Sequence, residues 1–363
     1  MNFRKLFLIA VSVVILFSAS ILAAASQELT AEGNKNLRSA NMHLAGERYE
    51  KALPLYEGVL EENPHHIEAL QKIAAIYYDA KMKYLVAYDY YGQAIKEIEA
   101  LYAEYEEMKA NDKKAAKKFF KSEISKPKYD DALENMRKLQ QSCWIKVFNL
   151  GQEYYKAEAY DEALQQYNQL LEAAPDSINT YLMLANIHNI QENDEKALEF
   201  YSLINELTPQ DLSPILQSAT ILYNNGSFEE AAVWYQKAAE LEPENPDHLY
   251  NAAICYTNSQ NAEQAYKYFV KTLEIDPENL DAALNASNNA AVLGDTENQM
   301  KYLKIVIELD PENVDFISYF TAQLVSQKNY AEALEYAEKW LELAPESADA
   351  QQMVNFLKNQ VNK

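Results

Sequence analysis

The side chains able to do chemistry in this 363-residue chain are few, and none stands at a catalytic spacing. There is no G-x-x-x-x-G-K-[S/T] loop to cradle phosphates, no H-E-x-x-H zinc helix, no G-x-S-x-G nucleophile turn and no cysteine pair at metal spacing. His43 and His188 fall at the helical place that Tyr77, Tyr154 and Tyr256 occupy elsewhere, as core-filling rings do. His65 and His66 follow Pro64 in a turn, and no third ligand accompanies them. The 55 acidic residues offer many carboxylate pairs, yet general acid–base chemistry needs one held in a dry cleft, which nothing in the sequence dictates. The expectation is no catalytic residue, no metal and no cofactor.

The elements that carry these residues are read from composition and spacing. Nearly half the residues are apolar, and only seven are glycine, far fewer than the turns and phosphate loops of an α/β enzyme this long would need. Prolines at 175, 209, 243, 277, 311 and 345 stand 34 residues apart. Twelve residues before them lie Ala163, Ala197, Ala231, Ala265, Gln299 and Ala333. Twelve earlier again are Gly151, Ala185, Ala219, Ala253, Ser287 and Thr321. Eight before the prolines sit Tyr167, Tyr201, Tyr235, Phe269, Leu303 and Ala337. A small residue midway along each of two helices lets them cross closely as an antiparallel pair, and the aromatic fills the space beside the pair. Proline stops the second helix because it lacks the amide proton. Asn245-Pro246 and Asn279 supply the caps that start the next one. Cys143 and Cys255 lie three units apart in this register, beyond bridging distance, and are expected as buried free thiols.

With this period and pattern the chain resembles the tetratricopeptide repeat family. The match covers six contiguous units from Trp144 to about Ser347. A seventh lies at Ala40, Ala52, Tyr56 and Pro64, and an eighth, with one extra residue, at Leu70, Ala74, Ala87, Tyr91 and Ala94. The resemblance implies an all-α, right-handed superhelical solenoid of antiparallel helix pairs. Two repeats occupy residues 33–100, a Lys-rich helical insert 101–143, six repeats 144–347, and a closing helix 348–363, with Met353, Val354 and Leu357 on its apolar side. It also implies that the first helix of each pair lines a concave groove for a protein or extended peptide. Carried onto this chain, the partner-facing places are Asn41, Phe148, Gln152, Tyr155, Leu182, Asn186, Asn189, Leu216, Tyr223, Asn224, Tyr250, Asn258, Leu284 and Asn288. Asparagine amides both donate to and accept from a peptide backbone, and interleaved aromatics give anchors. Asn149, Asn251 and Asn285 recur at the sixth place. The basic clamp with which some members hold a terminal carboxylate is missing, since Arg38, Lys72 and Lys156 are scattered.

Two stretches depart from the pattern. The unit at 280–313 carries Ser287 and Gln299 at its small places and Ala290 where neighbours have larger side chains, so it is expected to open first. The interval 101–143 lacks the register. It reads as helical extensions interrupted near Ser125-Lys126-Pro127, with Ala116, Phe120 and Ile124 as one apolar stripe among Lys113, Lys114, Lys117, Lys118 and Lys121. Charge runs commonly just solvate a helix face. The alternative is contact with a membrane surface or an acidic partner.

Charge and the N-terminus bound the setting. The formal charge of −23 repels nucleic acid and favours neutral or basic partners for the groove. Arg4 and Lys5 precede an apolar run, Leu6 to Phe17, and a small-residue tract, Ser18 to Ser26, where Ala23 and Ala25 form an A-x-A cleavage pattern. Residues 1–26 read as a signal peptide, or as an uncleaved anchor, and no cysteine follows for lipid attachment. The chain is therefore expected in the periplasm, cell envelope or exterior, as a non-catalytic scaffold. The alternative is a structural subunit of an envelope polysaccharide-export or secretion complex.

Overall fold

The structure, a computed structural model, describes residues 28–362. The expected signal segment lies outside the described residues. Among those described every regular element is helical, with eighteen α-helices and one π-helical turn. The chain divides into two compact units, up to Ile187 and from His188.

The first unit begins with two helix pairs: α1 (Ala31–Ala45) with α2 (Tyr49–Glu62), and α3 (Ile67–Asp79) with α4 (Tyr84–Asn111). Then come α5 (Lys113–Phe119), the π-helical turn Phe120–Ile124, and a third pair, α6 (Tyr129–Lys156) with α7 (Tyr160–Ala173). Helix α8 (Ile178–Ile190) spans the division. The second unit continues with α9 (Asp194–Leu207), α10 (Leu212–Asn224), α11 (Phe228–Leu241), α12 (Pro246–Asn258) and α13 (Ala262–Ile275). It ends with α14 (Leu280–Val292), α15 (Thr296–Leu309), α16 (Val314–Ser326), α17 (Tyr330–Leu343) and α18 (Ala348–Val361). Each unit is a stack of antiparallel helix pairs, an all-α solenoid architecture.

The spacing of sequence signals explains these boundaries. Every proline of the register stands two residues beyond a helix end, as Pro243 does after Leu241 and Pro277 after Ile275. Asn245 caps α12 by accepting from the Asp247 amide at 3.1 Å, and Asn279 caps α14 through the Ala282 amide at 2.9 Å. The small residues Ala185, Ala219 and Ala253 of the first helices, and Ala197, Ala231 and Ala265 of the second, are fully buried. Tyr167, Tyr201 and Phe269 are fully buried beside them.

The turn inside each pair follows a rule that sequence reading did not find. Glu158, Glu192, Gly226, Gln260, Gly294 and Lys328, again 34 apart, all adopt the left-handed conformation. Around Gly226 (φ 76°), its amide donates to the Tyr223 carbonyl at 3.0 Å and the Ser227 amide to Leu222 at 2.9 Å, a Schellman end to the helix. Four of the six places hold a side chain where glycine fits better. Relief of the left-handed strain, about 1–2 kcal/mol, outweighs the extra unfolded-chain entropy of about 0.4–1 kcal/mol. Gln260→Gly should therefore stabilise by about 0.5 kcal/mol, and Gly226→Ala should destabilise by about 1 kcal/mol. Urea midpoints moving in the same direction for both variants would refute this.

The insert is an elongation of existing helices. Helices α4 and α6 each run 28 residues and lie antiparallel along one another. Arg137 pairs with Glu99 at 2.6 Å, Tyr102 donates to Asp130, and the Gln140 amide donates to the Tyr88 carbonyl at 3.3 Å. Asp112 breaks the chain after α4 and caps α5, and a turn ending at left-handed Lys128 separates the π-helical turn from α6. Ala116 and Ile124 are buried, and Phe119 and Phe120 pack against the same core as Leu101 and Met136.

In the unit at 280–313 the odd residues find partners: the Ser287 hydroxyl donates to the Gln299 carbonyl at 3.0 Å, and the Gln299 amide to the Tyr319 hydroxyl at 3.2 Å. Its alanines nonetheless bury less apolar surface, each Å² being worth about 25 cal/mol. Amides of α14 and α15 should exchange with deuterium before those of α10 and α11; equal protection would contradict the expectation. Cys143 and Cys255 are buried and unbridged, and burial pushes both thiols up to about 12. The thiolate is the reactive form. A disulfide reagent at pH 7.5 should label neither cysteine in the native chain and both in urea, and rapid native labelling would show that the packing around them is open.

Candidate partner-binding faces

The first helix of each pair turns one face away from its own partner helix, and the expected partner-facing residues fall there with different freedom. In the first unit Asn41 is already engaged. Its carbonyl oxygen accepts from the Tyr56 hydroxyl at 2.6 Å and its amide donates to Glu68 at 2.9 Å, tying α1 to α2 and α3. On α6, Phe148 stacks on Trp144 at 4.7 Å and meets the Tyr167 ring edge-on at 5.4 Å. Gln152 follows one turn on, and Tyr155 leans on Tyr160 at 5.9 Å. Phe148, Gln152, Tyr155, Leu182 and Asn186 are all half-buried. The Tyr167 hydroxyl behind Phe148 is buried without a hydrogen-bond partner, and desolvation pushes its pKa up to about 12.

In the second unit Asn189, Leu216, Tyr223, Tyr250 and Leu284 are half-buried, and Asn224, Asn258 and Asn288 are exposed. The Asn258 amide donates to the Tyr223 hydroxyl at 3.1 Å, joining α10 to α12. Tyr250 sets its ring edge-on to buried Phe269 at 5.6 Å; burial, helped by the charge of Asp281, raises its hydroxyl pKa. Of the sixth-place asparagines, Asn285 donates to the Asp281 carbonyl of its own helix at 2.8 Å. Val292 is 76 % exposed and Ile190 46 % exposed, so these faces carry apolar surface that the carried-over places left out. In the first unit, Trp144 and the exposed Ile145 belong with Phe148 for the same reason.

A second aromatic register escaped sequence reading. Trp234, Tyr268, Tyr302 and Tyr336 stand one residue before the aromatic place, and the 34-residue spacing could have shown them. They pack the two helices of a pair together, Tyr268 against Tyr256 at 5.6 Å and Tyr336 against Phe320 at 4.7 Å, and Lys237 lies 3.9 Å over Trp234.

The histidines take structural places. His188 is buried and stacks on Phe200 at 5.8 Å, where desolvation, then the charge of Lys196, lowers its pKa. His66 caps α3, and His65 pairs with Glu97 at 2.9 Å. Among the described residues no group of His, Cys, Asp and Glu could hold a metal ion, and no helix is long and apolar enough to cross a membrane. Lys113, Lys114, Lys117, Lys118 and Lys121 are exposed on α5 and the π-helical turn.

Repeating helix pairs with this register define a helical-repeat protein. Residues 148–211 and 248–279 match sequence models described as tetratricopeptide repeat, and residues 219–260 one described as TPR repeat; the chain is a tetratricopeptide-repeat protein. No curated protein matches it. Similar solved structures include YrrB, titled a TPR protein with an unusual peptide-binding site, at 20 % identity over 51 % of this chain and 96 % of that one, TM-score 0.37. MamA of Desulfovibrio magneticus RS-1 is 13 % identical over 46 % of this chain and 95 % of that one, TM-score 0.35. PilF of Pseudomonas aeruginosa is 18 % identical over 58 % and 95 %, TM-score 0.32.

Proposed function

We propose that this protein is an exported, non-catalytic scaffold that holds an extended segment of another protein along the first-helix faces of its repeats. The repeat class supports a role in protein interaction. The finer reading is carried by one observation. On α10, α12 and α14 the half-buried rings and leucines Leu216, Tyr223, Tyr250 and Leu284 stand beside exposed Asn224 and Asn288, whose amides make no side-chain hydrogen bond among the described residues. Apolar anchors give affinity, and free amides match a peptide backbone without demanding particular side chains. Export rests on the charge, apolar run and A-x-A tract of residues 1–26.

A photo-crosslinking side chain placed at Asn224 or Asn288 in the producing cell should yield discrete protein adducts. The same group at exposed Val233, on the second helix of its pair, should not. Adducts from Val233 alone would move the interaction to the other face. Intact mass of the purified protein tests export, since cleavage after Ala25 removes a fixed mass and an anchor leaves it in place. Recovery of the adducts only within a membrane complex would favour the polysaccharide-export or secretion subunit.

A further inference from the structure

The insert holds a charged cleft that the scaffold role does not use. Between the end of α4 and α5 lies a cleft of about 370 Å³, floored by the rings of Tyr105 and Phe120 and rimmed by Lys109, Lys113, Lys117 and Lys121. The two ring centroids lie 5.0 Å apart at a tilted angle. Lys109 is balanced, with Glu106 at 2.9 Å and its ammonium 5.2 Å over Tyr105. Among the described residues the other three rim lysines form no ion pair.

Acids flank the floor residue Tyr105 on α4, and Glu106 among them is taken up by Lys109 at 2.9 Å; the chain that follows is basic. Residues 109–128 hold eight lysines against Asp112 and Glu123. Asp112 is committed to capping α5, accepting from the amides of Lys114 at 2.9 Å and Ala115 at 3.1 Å. Unpaired ammonium groups spaced one turn apart above an aromatic floor repel one another until anions enter. The remainder of the chain is strongly acidic, so this concentration of positive charge stands out from its own protein.

We propose that this cleft docks an acidic polypeptide segment, rich in Asp or Glu, of a partner protein. Carboxylates spaced along an extended chain would reach Lys113, Lys117 and Lys121 in turn, and the aliphatic stems would lie on Tyr105 and Phe120. A membrane surface fits less well. A helix that lies on lipid needs an outward apolar face, whereas Ala116 and Ile124 are buried in the protein and Phe119 and Phe120 pack on its core.

The test uses a fluorescein-labelled ten-residue peptide of alternating glutamate and glycine, with fluorescence polarisation against the full chain at low salt. Binding should appear there and vanish at about 1 M salt, where the Debye length is about 3 Å. Two variants of equal charge change separate cleft from diffuse field. Lys117→Glu with Lys121→Glu, on the rim, should weaken binding at least about tenfold; Lys114→Glu with Lys118→Glu, on the same segment outside the rim, should weaken it less than about threefold. Equal losses would overturn the cleft, as would no binding by the parent. Sedimentation with phosphatidylglycerol vesicles that the rim variant abolishes, without peptide binding, would assign the lysines to lipid instead. A charge-sensitive self-association of the parent would assign them to a second copy.

Discussion

Phe269→Ala should cost about 3–5 kcal/mol, the usual effect of removing a fully buried aromatic side chain. The ring sits in a core with Ala253, Ala282 and Ala286, which are too small to collapse into the space, and it supports Tyr250 at 5.6 Å. A stacked-repeat protein is stabilised by each repeat and by its junction with the next, so a cavity here weakens both. The expected result is a lower urea midpoint together with early deuterium uptake centred on residues 246–292. An unfolding curve displaced by less than about 1 kcal/mol would mean that Phe269 is not the keystone of that junction. Because Tyr250 rests on Phe269, partner crosslinking at Asn288 should also fall.

Gly151→Ala tests packing against local preference. On an exposed helix this change stabilises by about 1 kcal/mol, because alanine is the better helix former. At Gly151 the new Cβ would stand 2.8 Å from two ring carbons of Tyr167, which is fully buried. Overpacking of a filled core costs about 1–3 kcal/mol, so the net sign should be destabilising. Combining it with Tyr167→Leu should recover part of the loss, a coupling that a double-mutant cycle measures directly. A more stable Gly151→Ala would show that α6 and α7 are not in close contact there.

The fold was legible because its determinants repeat. Prolines 34 apart can only stop helices, and Ala197 or Ala253 at fixed offsets can only be close crossings, so pairs of helices followed from local chemistry. The left-handed turn residues were illegible because Glu158, Glu192, Gln260 and Lys328 are not the residues that this backbone prefers; the tertiary stack holds them there. The second aromatic register was visible in the spacing and was obscured by the stronger one beside it. The candidate faces were legible as places, but the use of each residue was not. Asn41 had the same sequence standing as Asn224 and Asn288. Only the arrival of Tyr56 and Glu68 from two other helices turned it into an internal bond.

By itself, then, the sequence determined helix ends, pair crossings and the order of repeats, since each depends on contacts within about 34 residues. Tertiary structure alone decided which amides stay free, and that Lys113 and Lys117 line one cleft with the Tyr105 and Phe120 rings. Those outcomes depend on where separate helices bring their side chains in space, and spacing along one helix does not encode a neighbour's reach.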